Sequence, residues 1–428
     1  MAHSAKEGNS QDRKDGDWIY TEREPKIQNG HFGYVFSSEI QGDTVNTDTS
    51  RRNFLAAGLA LPAAGLASTT SAPTPAPQQG APSRGKITYR VLGKTGMKVS
   101  SVGYGAMITS DATVITRAAD LGINYFDSSR GYSSGQNERM VAAGLGAKRK
   151  DVFISSKCEA TDRAGCLAQL ETSLKELNTD HLDVWLLHKY DTAAQISDEL
   201  VDALRTAKQQ GKARFIGVST HDVPAVADRI IGCKLDVLQT LYSFASPATY
   251  GPAIEKLHQA GVGVVAMKVM AKSAPRGQKG AAGERARAAN FAPAALKWVL
   301  KNPLIGTTVP SMTDIDQLEQ NFKVMAEQFT DADAKLLTAR LEEITPYFCR
   351  SCGECKGQCP KGLPVSDMVR FVMYADGYGQ FGLGRENFLR MAAEHQEVRC
   401  GDCQTCAVRC PHGVHVAKRL MRAQELFA

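Results

Sequence analysis

Residues 122–138 read GINYFDSSRGYSSGQNE, and the fold turns on how the first half of that stretch is taken. Ile123, Tyr125 and Phe126 run into a carboxylate, Asp127, followed by Ser and Gly and then by a helical-looking segment. A short apolar run that stops at a charged residue is what a strand covered on both faces produces. The phrase recurs along the chain. VFISSK (152–157) ends at Lys157, DVWLLHK (183–189) holds His188, and FIGVST (215–220) holds Ser219 and Thr220. Further runs are VSSVGYGA (99–106), DVLQTLY (236–242) with Gln239, GVGVVAMK (261–268) ending at Lys268, and GTTVPS (306–311). Between them, CLAQLETSLKELN, SDELVDALRTAKQQGK and APAALKWVLKNP place apolar residues at helical spacing. Eight such units over about 240 residues predict an α/β fold, a (β/α)8 TIM barrel.

In a barrel of this kind the carboxyl ends of all strands open on one face, where loops build the active site. Asp127, Lys157, His188 and Ser219 follow one another at intervals of 30, 31 and 31 residues, which puts one polar group per unit on that face.

The chain has 428 residues, 43% hydrophobic and 22% charged, with a formal charge of +6 and no basic stripe interleaved with aromatics. It is large enough for two domains, and no nucleic-acid partner is expected. Residues 1–49 are polar. TSRRNFLAAGLALPAAGLASTTSAPTPAPQQGAPSRG follows, with Arg51 and Arg52 before a short apolar run and a Pro/Ala-rich stretch behind it. The run is too short for a confident membrane span, and paired arginines before it resemble a twin-arginine export signal. We therefore expect a signal over 1–67, a linker over 68–85, and a periplasmic or exported protein that an uncleaved signal could tether to a membrane. The expected domains are 86–345 and 346–428.

With those strand ends in hand, a resemblance becomes plain. YRVLGKTGMKVSSVGYGAM, GINYFDSSRGYSSGQNE, ISSK, DVWLLHKYD and GVST are similar, in order, to the successive signatures of the aldo/keto reductase family, from about Ile87 to about Glu343. The resemblance implies a catalytic tetrad of Asp127, Tyr132, Lys157 and His188. A carbonyl oxygen gaining negative charge needs a positioned acid, and a phenol near pKa 10 needs help at neutral pH. Lys157 is expected to lower the Tyr132 pKa, Asp127 to hold Lys157, and His188 to orient the carbonyl. The resemblance also implies NAD(H) or NADP(H), with Ser219, Thr220, Gln239, Lys268, Ser311, Gln317, Gln320 and Asn321 as contacts. Two departures stand out. TTVPSMTDIDQLEQNFKV (307–324) has Ser311 and Gln317 where NADPH users commonly place cations, which favours NADH or loose discrimination between the two. Met267 stands where many relatives carry an aromatic that stacks on nicotinamide. The Gly/Ala/Lys/Arg-rich segment 271–290 reads either as a flap or as a solvated insertion.

Eight of the eleven cysteines lie in the last eighty residues, in CRSCGECKGQCP (349–360) and RCGDCQTCAVRCP (399–411). The C-x2-C-x2-C-x3-C-P run, present twice, is that of two-cluster bacterial ferredoxins. Cys349, Cys352, Cys355 and Cys410 are expected to hold one 4Fe-4S cluster, and Cys400, Cys403, Cys406 and Cys359 its partner. Zinc has no use for a third thiolate at that interval, and cysteines two apart on a turn cannot all pair as disulfides without strain. The stretch between the runs is longer than the link of a small bacterial ferredoxin and carries helical periodicity, so a small α-helical ferredoxin-like domain is expected. Cys158, Cys166 and Cys233 read as small core residues.

Two functions remain open at this point. One is an exported iron–sulfur reductase acting on a small carbonyl or alcohol, passing single electrons to or from a carrier protein or a membrane donor, and moved by the twin-arginine machinery. The other is an electron-transfer protein whose barrel is only a docking scaffold.

Overall fold

The chain enters through a feature that the strand pattern hides. Tyr89–Val91 (β1) and Lys98–Ser100 (β2) form an antiparallel hairpin below the barrel. The reading of VSSVGYGA as one strand is therefore corrected: its first half belongs to β2, and only Tyr104–Gly105 (β3) enters the barrel. The hairpin turn lies against the floor so closely that a Cβ on Gly93 (φ +49) would stand 2.4 Å from Gly263 N. Glycine is required there for both its conformation and its bareness.

This is a computed structural model, and it describes residues 86–271 and 282–428, with side chains for all of these except 282–290. The paired arginines, the Pro/Ala-rich linker and residues 272–281 of the 271–290 segment lie outside the described residues, while the end of that segment is the start of a helix. Seven strands follow β3: Tyr125–Asp127 (β4), Phe153–Cys158 (β5), Leu182–His188 (β6), Ala213–Thr220 (β7), Val237–Leu241 (β8), Gly263–Met267 (β9) and Ile305–Thr308 (β10). All neighbours in this sheet are parallel, and bridges from Val102 to Thr308 and from Gly105 to Ser311 close the first strand on the last. The interleaved helices are Ala112–Asp120 (α1), Gln136–Leu145 (α2), Arg163–Glu176 (α3), Asp198–Gln209 (α4), Val223–Gly232 (α5), Tyr250–Gln259 (α6), Ala282–Leu300 (α7) and Ile315–Lys323 (α8), with Asp331–Ile344 (α9) added after them. Asp111, Asp162, Ser197, Asp222 and Asp314 each accept a first-turn N–H, which fixes where five of these helices begin.

Strand β6 shows why the runs do not alternate: all of LDVWLLH is buried. Val184 and Leu186 face the barrel interior with Leu92, Val237 and Val265, whereas Trp185 and Leu187 face the helices. The interior is thus packed solid at its floor, and only its upper rim is open to chemistry.

Beyond α9 the chain is helical, with Val365–Val372 (α10) running into a π-helical turn (Met373–Gly377), then Phe381–Leu389 (α11), Ala393–Glu397 (α12) and Val416–Phe427 (α13). Both cysteine runs lie on the segments between these helices, the second opening in a 3-10 turn over Cys400–Asp402. Phe348, Met368, Val372, Phe388, Leu420 and Phe427 form their core, which also takes in Ala245 and Ala271 from barrel loops. The barrel and this helical region therefore share packed surface. Among the described residues no helix is long and apolar enough to cross a membrane.

Leu92 is fully buried at the floor. Replacing it with alanine should destabilise the fold by about 2–5 kcal/mol, read as a lower thermal midpoint with an unchanged visible spectrum.

Candidate active site

The stretch that opened the sequence reading also builds the wall of the site. After Asp127 ends β4, Arg130 turns back so that its Nη1 lies 2.5 Å from Glu138 Oε2 at the start of α2. Ser156 Oγ on β5 donates to the other Glu138 oxygen at 2.6 Å. Gly135 (φ +86) makes this fold-back possible, since a Cβ there would coincide with the Arg130 guanidinium. The loop so pinned carries Tyr132, with Ser133 and Ser134 in left-handed conformations (φ 48 and 51).

Asp127, Lys157 and His188 come together on the carboxyl rim with Tyr132. Lys157 is fully buried, and its Nζ donates to Asp127 Oδ1 (2.8 Å), Asp127 Oδ2 (2.7 Å) and Ser128 O (2.6 Å). Gln239 Nε2 on β8 fastens the same carboxylate at 3.0 Å. Tyr132 meets this group through its ring. The Lys157 ammonium stands 5.2 Å from the ring centroid, and the His188 ring lies edge-on at 5.6 Å.

The expected lowering of the Tyr132 pKa is corrected. An ammonium has three N–H groups, and Lys157 has spent all of them on Asp127 and Ser128. Loss of solvent raises the phenol well above its ordinary value, and the Asp127, Tyr374 and Glu159 oxygens add to the rise. Tyr132 is a neutral hydrogen-bond donor here.

His188 is likewise more constrained than the sequence implied. Its Nδ1 lies 3.0 Å from Glu159 Oε1 and 3.0 Å from Ser129 Oγ. Burial lowers its pKa to about 3, with Lys189 and Lys157 opposing the charged form and Glu159 favouring it. Glu159 itself is pulled far below the usual carboxyl range; its desolvation is outweighed by the His188 hydrogen bond and by Lys189. An ionised carboxylate only accepts, so the single ring proton sits on Nδ1 and Nε2 is left as an acceptor. Such a ring suits a substrate hydroxyl rather than a carbonyl oxygen.

The roof of the site comes from the helical region. Leu383, Glu386, Asn387 and Arg390, one face of α11, line the same pocket as Tyr132, His188, Met267 and Lys268, and Tyr374 joins them. Arg390 Nη1 reaches Glu159 Oε2 at 3.2 Å, and Lys189 Nζ reaches Asn387 Oδ1 at 3.4 Å. Lys189 (φ 67) and Lys268 (φ 54), the residues that follow β6 and β9, both hold left-handed backbones. Glu159, Lys189 and Tyr374 were missed in the sequence. Glu159, two residues past Lys157, carried a usable signal; Tyr374, far along the chain, carried none.

The other dinucleotide candidates scatter. Ser219 is buried with its Oγ on Met267 Sδ at 4.0 Å, and Thr220 Oγ1 donates to Asp191 Oδ1 at 3.0 Å. Gln239 keeps Oε1 buried without a hydrogen-bond partner among the described residues. Ser311 bridges to Gly105, and Gln320 and the buried Asn321 lie on α8. Gln317 turns its amide onto Thr313 and Asp314 of its own helix start.

Cys349, Cys352, Cys355 and Cys410 line one pocket with Val365, Val369, Val414 and Val416. Burial pushes the Cys400 thiol up to about 11, with Cys359, Cys403 and Cys406 adding to the rise as its neighbours. The crossed grouping expected from the motif is therefore also the spatial one. Among the described residues no three ligands close on a single ion-sized point.

Comparison with known proteins accords with this geometry. The family model described as Aldo/keto reductase family matches residues 101–342, more than half of the chain. The chain belongs to the aldo/keto reductase family. A 4Fe-4S dicluster domain matches residues 348–415. This aldo/keto reductase is 30% identical over 284 residues to an L-galactose dehydrogenase of Arabidopsis thaliana, covering 56% of the chain and 89% of that protein. It is 27% identical over 272 residues to the methylglyoxal reductase YeaE of Escherichia coli, covering 61% and 89%. Among solved structures, the holo form of an aldo-keto reductase from Bacillus halodurans superposes with a TM-score of 0.51 at 22% identity, covering 59% of this chain and 96% of the other. An aldo/keto reductase from Klebsiella pneumoniae in complex with NADP and acetate gives 0.50 at 23%, covering 58% and 94%. The chain is thus an oxidoreductase built as a (β/α)8 barrel with a helical iron–sulfur region.

One outcome follows for the imidazole. In nitrogen–proton NMR spectra His188 should stay neutral, with its proton on Nδ1, from pH 8 down to pH 5. Protonation near the ordinary value of about 6.5 would contradict the geometry.

Proposed function

We propose that the chain is an exported reductase–dehydrogenase that interconverts a small carbonyl compound and its alcohol by hydride transfer, coupled to one-electron carriers through two 4Fe-4S clusters. The observation that carries this reading is the convergence of Asp127, Lys157, Tyr132 and His188 on one pocket whose roof belongs to the cysteine-bearing region. Cys349, Cys352, Cys355 and Cys410 would hold one cluster, and Cys359, Cys400, Cys403 and Cys406 the other. These clusters would accept or release single electrons. The buried Gln239 Oε1 and the hydroxyl of Ser219 offer partners for a carboxamide beside the rim, which fits a nicotinamide. That cofactor would supply or take the hydride.

The protein's own residues do the rest. Tyr132, as a neutral donor, would hydrogen-bond the reacting oxygen, and the family pattern makes it the general acid and base. His188 Nε2 would accept the hydrogen of an alcohol, which favours oxidation; a relative named as a dehydrogenase is in line with that direction. The start of α8 carries Asp314 and Asp316 rather than cations, so NADH is preferred over NADPH. Arg51 and Arg52 motivate export by the twin-arginine machinery, with a soluble or membrane electron carrier as partner.

The tight roof favours a second reading, in which the barrel only docks an electron carrier. Anaerobic titration with NADH separates the two. Bleaching of the cluster absorbance together with carbonyl turnover supports the reductase, with kcat/KM higher for NADH than for NADPH. No bleaching and no turnover, with reversible cluster reduction by dithionite, would leave the scaffold. Tyr132→Phe should lower turnover about 10²–10³-fold, as loss of one oxyanion donor does, with the iron–sulfur spectrum intact. Iron analysis should give about eight atoms per chain, and Cys410→Ala should remove the cluster whose other ligands are Cys349, Cys352 and Cys355.

A further inference from the structure

Two of the cysteines outside the motif runs form a pair of their own. Cys158 closes β5, and Cys166 is the fourth residue of α3, which packs back over the same strand. Both side chains are fully buried, and their Sγ atoms lie 3.3 Å apart. Cysteines whose side chains point away from each other cannot be bridged without moving the backbone. These two already meet across the strand–helix crossing. Bonding asks only for closure to the disulfide length of about 2.0 Å.

We propose that Cys158 and Cys166 are a dithiol that peroxide oxidises to a disulfide, with Cys166 as the attacking sulfur and Cys158 as the resolving one. The assignment is independent of the reaction that the barrel performs. Cys166, as thiolate, attacks one peroxide oxygen. The O–O bond breaks, the departing hydroxide takes up the proton that Cys166 gave away, and Cys166 becomes a sulfenic acid. The Cys158 sulfur then attacks the Cys166 sulfur, the S–O bond breaks, and the Cys158 proton leaves with that hydroxide as water. Two thiols lose two electrons and two protons, and hydrogen peroxide becomes two waters.

The surroundings distinguish the two sulfurs. Cys166 sits in the first turn of α3, where the helix dipole favours a negative charge and thiolates form more readily. The hydrogen bond between the sulfurs lowers Cys166, against burial and the Asp162 charge, whereas the same bond and burial raise Cys158. Trp185 Nε1, beside Cys166, is buried with no hydrogen-bond partner among the described residues. An indole N–H can only donate, so a charged sulfur supplies the acceptor that it lacks. The cover over the pair is thin, since Thr161, Asp162, Arg163 and Ala164 leading into α3 are exposed. A molecule as small as peroxide needs no wide channel. The bond would also be felt at the rim. Gln169, one turn beyond Cys166, accepts the Glu159 N–H at 3.1 Å, and Glu159 pairs with His188.

The test uses the full-length protein with its iron–sulfur centres, prepared anaerobically, exposed to equimolar hydrogen peroxide and quenched with catalase. Denaturation, alkylation and digestion should then give a peptide that joins residues 158 and 166 and separates on reduction. In Cys158→Ala, which has no resolving thiol, dimedone should label Cys166. In Cys166→Ala it should leave Cys158 unlabelled. The His188 ring resonances should shift on oxidation of the wild type and stay in place when Cys158→Ala is treated alike. Cys158 and Cys166 both recovered as alkylated free thiols, after peroxide has begun to bleach the iron–sulfur absorbance, would overturn the proposal. Dimedone on Cys158 in Cys166→Ala would overturn the choice of attacking sulfur, and unmoved His188 resonances in the bridged protein would overturn the link to the rim.

Discussion

One ammonium kept dry inside the barrel organises the whole mouth. A lone buried charge costs several kcal/mol, and an ion pair offsets this only when every donor and acceptor is used. Lys157 meets that condition with two bonds to Asp127 and one to Ser128 O, and Gln239 steadies Asp127 from the far side. Satisfying the charge has a consequence. Lys157 has no N–H left for Tyr132 and acts on its neighbours through its field alone, disfavouring a second cation at His188. The phenol above it is left in the company of the Asp127 carboxylate and stays protonated.

The second constraint is the roof. Here α11 and its C-cap Arg390 lay Leu383, Glu386, Asn387 and Arg390 across the opening. The seam is ionic where it meets the rim: Arg390 shares Glu159 with His188 and Lys189. Any shift of the helical region therefore perturbs the partner that sets the His188 tautomer. Enclosure also removes water, which strengthens each of these interactions.

Much of this was legible in the sequence, for identifiable reasons. Parallel strands buried on both faces write continuous apolar runs, and the rim residues that end them are polar because they face a cavity, so Asp127, Lys157, His188 and Ser219 were found together. The cysteine grouping was legible because cluster geometry dictates the spacing. The hairpin Tyr89–Ser100 was missed because its strands are three residues each, shorter than any reliable alternation. The state of Tyr132 was misjudged because residue type reveals a charge but not how many of its hydrogen bonds are already taken. Tyr374 was invisible for a different reason: it reaches the pocket of Tyr132 and His188 only through packing against Lys268, 106 residues away in the chain, and no local pattern encodes that. Cys158 and Cys166, read as unrelated core residues, lie with their sulfurs 3.3 Å apart, a contact that the strand–helix crossing sets and that spacing could not show.

The arrangement of α10 gives the fusion of barrel and cysteine domain a physical sense. Val369 lines the pocket of Cys349, Cys352, Cys355 and Cys410, and Tyr374, five residues on, lines the pocket of Tyr132 and His188. On the proposed reading a hydride brings two electrons at once, whereas each cluster carries one, so the pair must be divided close to where it is delivered. On that reading α10 and the π-helical turn after it, which touch both pockets, set the two chemistries side by side.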